Sequence, residues 1–191
     1  MTLEEKISAV EEVFENLALE VSLFQTKSSL GCKTGCGKCC FKPNIEATIL
    51  EFLPFAEYLY RQGTAYEWLE KTAKSDGDAI CVLLNSQQLE TGMCTQYKYR
   101  GLICRLFGFS ARTNKYGKKE LVTCTTIKES DAARYDSAVE DILAGGDVPV
   151  MNHHYFRLNS IDHELSREFF PINQAINRAI GVILHYYAYR S

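Results

Sequence analysis

Eight cysteines stand in this chain of 191 residues, and four of them, Cys32, Cys36, Cys39 and Cys40, fall within nine positions. An even count fits a disulfide framework, but only in an oxidising compartment. The opening residues Met1-Thr2-Leu3-Glu4-Glu5-Lys6 carry neither the basic start nor the apolar run of an export signal. The expected compartment is therefore the cytoplasm, where thiols stay reduced. Crowded thiols then point to soft ligands for zinc or iron, since single buried cysteines pack one at a time as small hydrophobes. A chain of this length buries about two thirds of its unfolded surface on folding and needs no metal to rescue a tiny core.

Around the cluster the pattern is largely helical. Thr2-Leu3-Glu4-Glu5 forms a capping box, and Ile7, Val10, Val13, Phe14, Leu17 and Val21 recur at helical spacing, which predicts an amphipathic helix over 2–27. Gly31, Gly35 and Gly37 punctuate the cysteines, so 32–40 reads as a loop of tight turns that lets sulfurs converge. A second helix is predicted over 48–61, with Pro54 near its start, and a third from 64 to 77, opened by the capping box Thr64-Ala65-Tyr66-Glu67. Residues 79–84 read as a short strand, 92–94 as a turn, and 106–111 with 119–124 as a hairpin around Asn114-Lys115-Tyr116-Gly117.

From 129 or 130 the helical period returns, to Leu143 before Gly145-Gly146, then from 153 or 160 to 170, then over 171–189. In the last segment Ile172, Ala175, Ile176, Ala179, Ile180, Ile183 and Leu184 make a stripe for the core. With no repeat, low-complexity tract or linker, the expectation is one domain over 1–191. Its class is mainly α (α+β): helices packed around an irregular cysteine-rich metal-binding region, 31–125, with a small β-hairpin, and a helical C-terminal part, 129–190.

A hydrophobic content of 46%, a charged content of 24% and a net charge of -3 are those of a globular chain and give no global pull toward nucleic acid. Lys115, Lys118 and Lys119 are too small a basic group for a backbone-reading surface. No apolar stretch approaches the roughly 18–20 residues of a membrane span. Neither nucleic acid nor membrane is an expected partner; a protein partner and the oligomeric state stay open.

Structural zinc sites use four ligands in a tetrahedron, drawn partly from short Cys-x2-Cys spacings. Cys36-Gly37-Lys38-Cys39 is such a pair, and Cys32 lies four residues earlier; Cys81, Cys94, Cys104 and Cys124 must be brought in by folding. Cys39 and Cys40 are adjacent, and in extended backbone they would face opposite ways. They share one ion only in a strained or turning conformation, so the simpler arrangement sends them to different centres or makes one a non-ligand. Eight thiolates can fill two four-coordinate sites, or one iron-sulfur cluster with cysteines to spare. Lys33, Lys38, Lys42, Arg100, Arg105 and Arg112 stand near the ligands and could offset their charge, or could be solvated surface residues.

Other chemistries fit less of the chain. Cys32-x3-Cys36-x2-Cys39 matches the cluster motif of radical S-adenosylmethionine enzymes, but the strand-helix repeats of such barrels are missing. Thiol-disulfide exchange at Cys36-x2-Cys39 leaves six other cysteines unused. A catalytic zinc with an open position would draw on His153 and His154, then His185, although these and His163 read better as packing or surface residues.

The stretches 31–40, 81–84 and 94–108, the last running Cys94-Thr95-Gln96-Tyr97-Lys98-Tyr99-Arg100-Gly101-Leu102-Ile103-Cys104-Arg105-Leu106-Phe107-Gly108, together resemble the zinc- or iron-chelating cysteine-cluster domain family, and Cys124 resembles its last cysteine. The likeness covers 31–125. It implies metal chelation through Cys32, Cys36, Cys39, Cys40, Cys81, Cys94, Cys104 and Cys124 and no particular reaction. Alternatives are an iron-sulfur or zinc-dependent enzyme in redox or modification chemistry, or a structural zinc module for protein contacts. Two departures stand out: three residues separate Cys32 from Cys36 where the family has two, and Gly101 follows Arg100 where the family tends to have Pro.

Overall fold

The structure is a computed structural model that describes residues 1–32, 36–75, 79–85 and 92–190. In chain order the elements are α1 (Leu3–Ser28), β1 (Glu46–Ala47), α2 (Leu53–Arg61), α3 (Ala65–Ala73), β2 (Leu84–Asn85), β3 (Met93–Cys94), α4 (Leu102–Leu106), β4 (Ser110–Thr113) and β5 (Lys119–Val122). They continue with α5 (Thr125–Ser130), α6 (Ala132–Leu143), α7 (Met151–Ile161), α8 (His163–Ser166), β6 (Phe170–Pro171) and α9 (Ile172–Ala188). Short 3-10 turns lie at Lys38–Phe41, Leu50–Phe52 and Tyr97–Tyr99. The fold is mainly helical, and its strands form three separate antiparallel pairs, β1–β6, β2–β3 and β4–β5. Among the described residues no helix is long and apolar enough to cross a membrane.

Contacts divide the chain into two compact units, one made of Met1–Glu12, Gly35–Gly101 and Leu158–Ser191, the other of Val13–Thr34 and Leu102–Arg157. In the first unit α9 packs against α2 and α3. Its Ile172, Ala175, Ile176, Ala179, Ile180 and Ile183 are buried, as are Phe52, Leu53, Phe55, Ala56 and Leu59 from the other side. Each large side chain removed from water there contributes about 1.5–3 kcal/mol. The capping box at Thr2 forms: the Thr2 N–H donates to Glu5 Oε2 at 2.8 Å and the Glu5 N–H to Thr2 Oγ1 at 3.2 Å. The box expected at Thr64 does not, because the Thr64 hydroxyl donates back to the Leu59 carbonyl at 3.4 Å. The helix expected over 48–61 is regular only from Leu53. Glu51 is buried and bends back to accept from the N–H and hydroxyl of Thr48, at 2.8 and 3.1 Å, which holds a tighter 3-10 turn before Pro54 enters the first turn of α2.

In the second unit Phe24, Leu30, Ala111, Ile127, Ala138, Ile142 and Val148 form the core. β4 and β5 pair from Ser110↔Val122 to Thr113↔Lys119. The first strand begins later than the sequence suggests, because Leu102–Leu106 coils into α4 and Ser110 Oγ donates to the Leu106 carbonyl at 2.7 Å. α6 ends as expected before Gly145, whose φ of +97° is in the region that favours glycine.

Candidate metal centre

Cys36, Cys39, Cys40, Cys81 and Cys94 belong to the first unit, and Cys32, Cys104 and Cys124 to the second. All eight are thiols and none is fully buried. Three short segments of the first unit position the sulfurs. Lys38–Phe41 is a 3-10 turn in which the Cys40 N–H donates to the Gly37 carbonyl at 2.8 Å. With three residues per turn, neighbouring side chains diverge by roughly 120° rather than pointing to opposite faces. This is the turning conformation that adjacent cysteines need to meet, and the Cys40 thiol does donate to the Cys39 sulfur.

Cys81 opens the second segment, a turn closed by the Leu84 N–H on the Cys81 carbonyl at 2.9 Å, which leads into β2. β3 is the third: it sets Cys94 opposite Leu84, and the N–H and hydroxyl of Thr95 both donate to the Leu83 carbonyl, at 2.8 and 3.0 Å. Phe41, next to Cys40, packs on this pair at Gly92. A Cβ there would lie 2.9 Å from Leu84 Cδ1 and 3.0 Å from Phe41 Cε2, and the φ of +65° also favours glycine.

The charges of these groups reach one another. The Cys40 hydrogen bond pulls the Cys39 thiol down to about 6 against the opposing effect of burial, and the Arg100 guanidinium adds to the pull. Burial pushes Cys81 up to about 11, helped by the nearby Cys94. Cys94 is also raised, first by burial and then by Cys39, while Arg100 lowers it. Arg100 itself lies over the Tyr97 ring at 3.6 Å and its Nε donates to the Tyr97 carbonyl at 3.3 Å. Cys40 thus acts on Cys39, Cys39 on Cys94 and Cys94 on Cys81, and the Arg100 guanidinium acts on Cys39 and Cys94. These pairs do not yet make a ligand sphere: among the described residues no group of three or more His, Cys, Asp or Glu side chains is close enough to hold one metal ion.

Residues 31–125, which include all eight cysteines, match the family model CxxCxxCC, described as "Putative zinc- or iron-chelating domain". Over these residues the chain belongs to that family. No curated protein and no solved structure matches it.

Gly101 follows Arg100 in this cysteine-cluster domain for a packing reason. A Cβ at 101 would stand 2.9 Å from Glu51 Oε2 and 3.0 Å from Phe52 Cζ, so the close approach of buried Glu51 and Phe52, rather than a looser turn, calls for glycine. In the second unit Cys124 caps α5, its sulfur accepting from the Ile127 N–H at 3.4 Å, and packs against the core. Cys104 lies in α4, and Cys32 is exposed beyond the end of α1. Of the cationic candidates, Arg112 pairs with Glu120 at 3.0 Å and Arg105 lies over the Phe14 ring at 4.4 Å; Lys33 is outside the described residues. Buried His154 meets Glu20 Oε2 at 3.0 Å, with burial holding its pKa below the ordinary value. His163 bonds Asn159 and His185 packs on Tyr189.

Asn173 is the positioning residue that sequence reading passed over. Only 2% exposed within the apolar stripe of α9, it accepts from the Val82 N–H at 2.9 Å and donates to the Ile80 carbonyl at 3.1 Å and Ser75 Oγ at 2.7 Å. It therefore fixes the backbone on both sides of Cys81. The readable signal was an amide at a core position of an otherwise apolar face.

Proposed function

We propose that this is a metal-binding protein in which Cys39, Cys40, Cys81 and Cys94 hold one zinc or iron centre, with Cys36, Cys32, Cys104 and Cys124 as the chain's further ligands. The observation that carries the reading is the chain of pairwise effects from Cys40 to Cys39, Cys39 to Cys94 and Cys94 to Cys81, across three separate segments, with Arg100 acting on Cys39 and Cys94. The donor set suits a soft or borderline cation: thiolates bind zinc, iron and iron-sulfur clusters, whereas magnesium and calcium prefer oxygen. The lowered Cys39 supplies one sulfur already deprotonated at neutral pH. A closed four-thiolate zinc site carries a charge of -2, and Arg100 offsets part of it. Zinc would supply a cross-link between the Cys39–Cys40 turn and the β2–β3 pair; iron would add electron transfer. Closing on a cation requires the sulfurs to shift from their present separation. Short 3-10 and two-residue strand segments oppose such a shift less than long elements do.

Elemental analysis of anaerobically purified protein tests the proposal. The expected result is zinc or iron at one or more equivalents per chain, with at least one equivalent lost in Cys94→Ser and in Cys39→Ser. Unchanged stoichiometry in both variants would overturn the assignment of these ligands.

A further inference from the structure

In the second unit, His154 of α7 has only 1% of its surface exposed. Its Nε2 meets Glu20 Oε2 of α1 at 3.0 Å, and the other carboxylate oxygen of Glu20 accepts from Arg157 Nη1 at 3.1 Å. A carboxylate only accepts, so the ring hydrogen stands on Nε2 and the neutral ring keeps its lone pair on Nδ1. Nδ1 is buried with no hydrogen-bond partner. In the neutral ring it is an idle acceptor. A second proton would have to go there, making a buried N–H without an acceptor on a ring that has also become a cation.

The charges around the ring do not offset that cost. The groups acting on it are Glu20 from α1 and, from its own helix, Arg157 and His153. Glu20 favours the charged ring, but its side chain is 39% exposed and shared with Arg157, so water and the guanidinium both weaken the attraction. Arg157 and His153 oppose the charge, and burial holds the pKa below the ordinary 6.5. The chain entering α7 is fastened separately: the Ala111 N–H of β4 donates to the Pro149 carbonyl at 2.8 Å, and Ala111 bridges Val150. A ring driven out by its charge therefore moves on a helix whose start stays tied to β4.

We propose that His154 is an acid-operated latch between α1 and α7: the neutral ring holds the two helices together through Glu20, and protonation at Nδ1 undocks them. Because the folded value lies below the unfolded one, the unfolded chain takes up the proton first on acidification. The latch is fully engaged above the ordinary histidine value and is lost as pH falls from there through the folded value. It uses none of the cysteines and does not rest on the metal reading.

Nuclear magnetic resonance of the full chain, following the ring signals of its four histidines from about pH 8 to about pH 4, tests the latch. His154→Gln assigns the His154 signal and keeps an amide N–H for Glu20. The expected midpoint of His154 lies below 6.5, with the neutral ring protonated at Nε2, and falls further in Glu20→Gln. The amides of α7 should lose hydrogen-exchange protection as pH falls through that midpoint in the wild-type chain and keep it in His154→Gln. Both chains have the same cysteines, so any loss of metal in acid affects them alike. A midpoint at or above 6.5, one that does not fall in Glu20→Gln, or α7 protection that follows pH equally in both chains would overturn the proposal. Should His154→Gln not fold, replacing the exposed His153, His163 and His185 one at a time assigns the remaining signal, and its midpoint decides the matter.

Discussion

Replacing Asn173 with alanine removes three hydrogen bonds at once, to the Val82 N–H, the Ile80 carbonyl and Ser75 Oγ. A typical net value is about 0.5–1.5 kcal/mol for each, and leaving a buried partner unpaired costs more than the bond itself. Two features limit the sum. Val82 is half-buried and Ile80 is exposed, so water can reach part of the freed backbone, and the loss of a few side-chain atoms leaves only a small void. The expected destabilisation is therefore about 2–3 kcal/mol, read as a lower urea midpoint with an unchanged slope. Because the same amide secures the residues flanking Cys81, zinc retention against a chelator should weaken in the same variant. Asn177 offers an internal comparison: its amide donates to the Leu69 carbonyl and Thr72 Oγ1 of α3 rather than to the residues flanking Cys81, so Asn177→Ala should lower stability without that additional loss of zinc. A change of less than about 0.5 kcal/mol in Asn173→Ala, or equal zinc retention in both variants, would refute the reasoning.

Iodoacetamide should modify Cys39 of the metal-free chain with a midpoint near pH 6, and Cys40→Ala should raise that midpoint more than Arg100→Gln, since the Cys40 hydrogen bond is the larger cause; a wild-type midpoint at the ordinary 9.0 would contradict this. The sign for stability follows: a lowered thiol stabilises the fold fully above its ordinary value, progressively less on acidification, and not at all once pH falls below about 6. Gly101→Ala should cost about 1–3 kcal/mol through overpacking against Glu51 and Phe52, a fall of roughly 2–10 °C in melting temperature, and an unshifted melt would show that the site relaxes freely.

The long elements were legible because their signals are local and redundant. α1 carries both a capping box and a 3.6-residue period, and α9 an apolar stripe, and both are found where those signals stand. The short elements were less so, because single tertiary contacts decide them. Residues 79–84 look β-prone, but Asn173 holds their middle in a turn and leaves only Leu84–Asn85 as strand. Thr64 has the spacing of a cap, yet its hydroxyl finds a nearer carbonyl. Cysteine spacing showed that sulfurs were available, and it favoured separate roles for the adjacent Cys39 and Cys40, which could meet only in a strained or turning conformation. It carried no information on which distant cysteines would be neighbours, since that depends on Phe41 packing at Gly92 and on the Leu84↔Cys94 register.

X-ray absorption at the metal edge of the zinc-loaded chain reads the ligand set directly. The expected spectrum has four sulfur neighbours at about 2.3 Å, the distance of a zinc thiolate bond. A shell of oxygen and nitrogen alone, or correctly folded protein that takes up no metal, would contradict a thiolate centre built on Cys39, Cys40, Cys81 and Cys94.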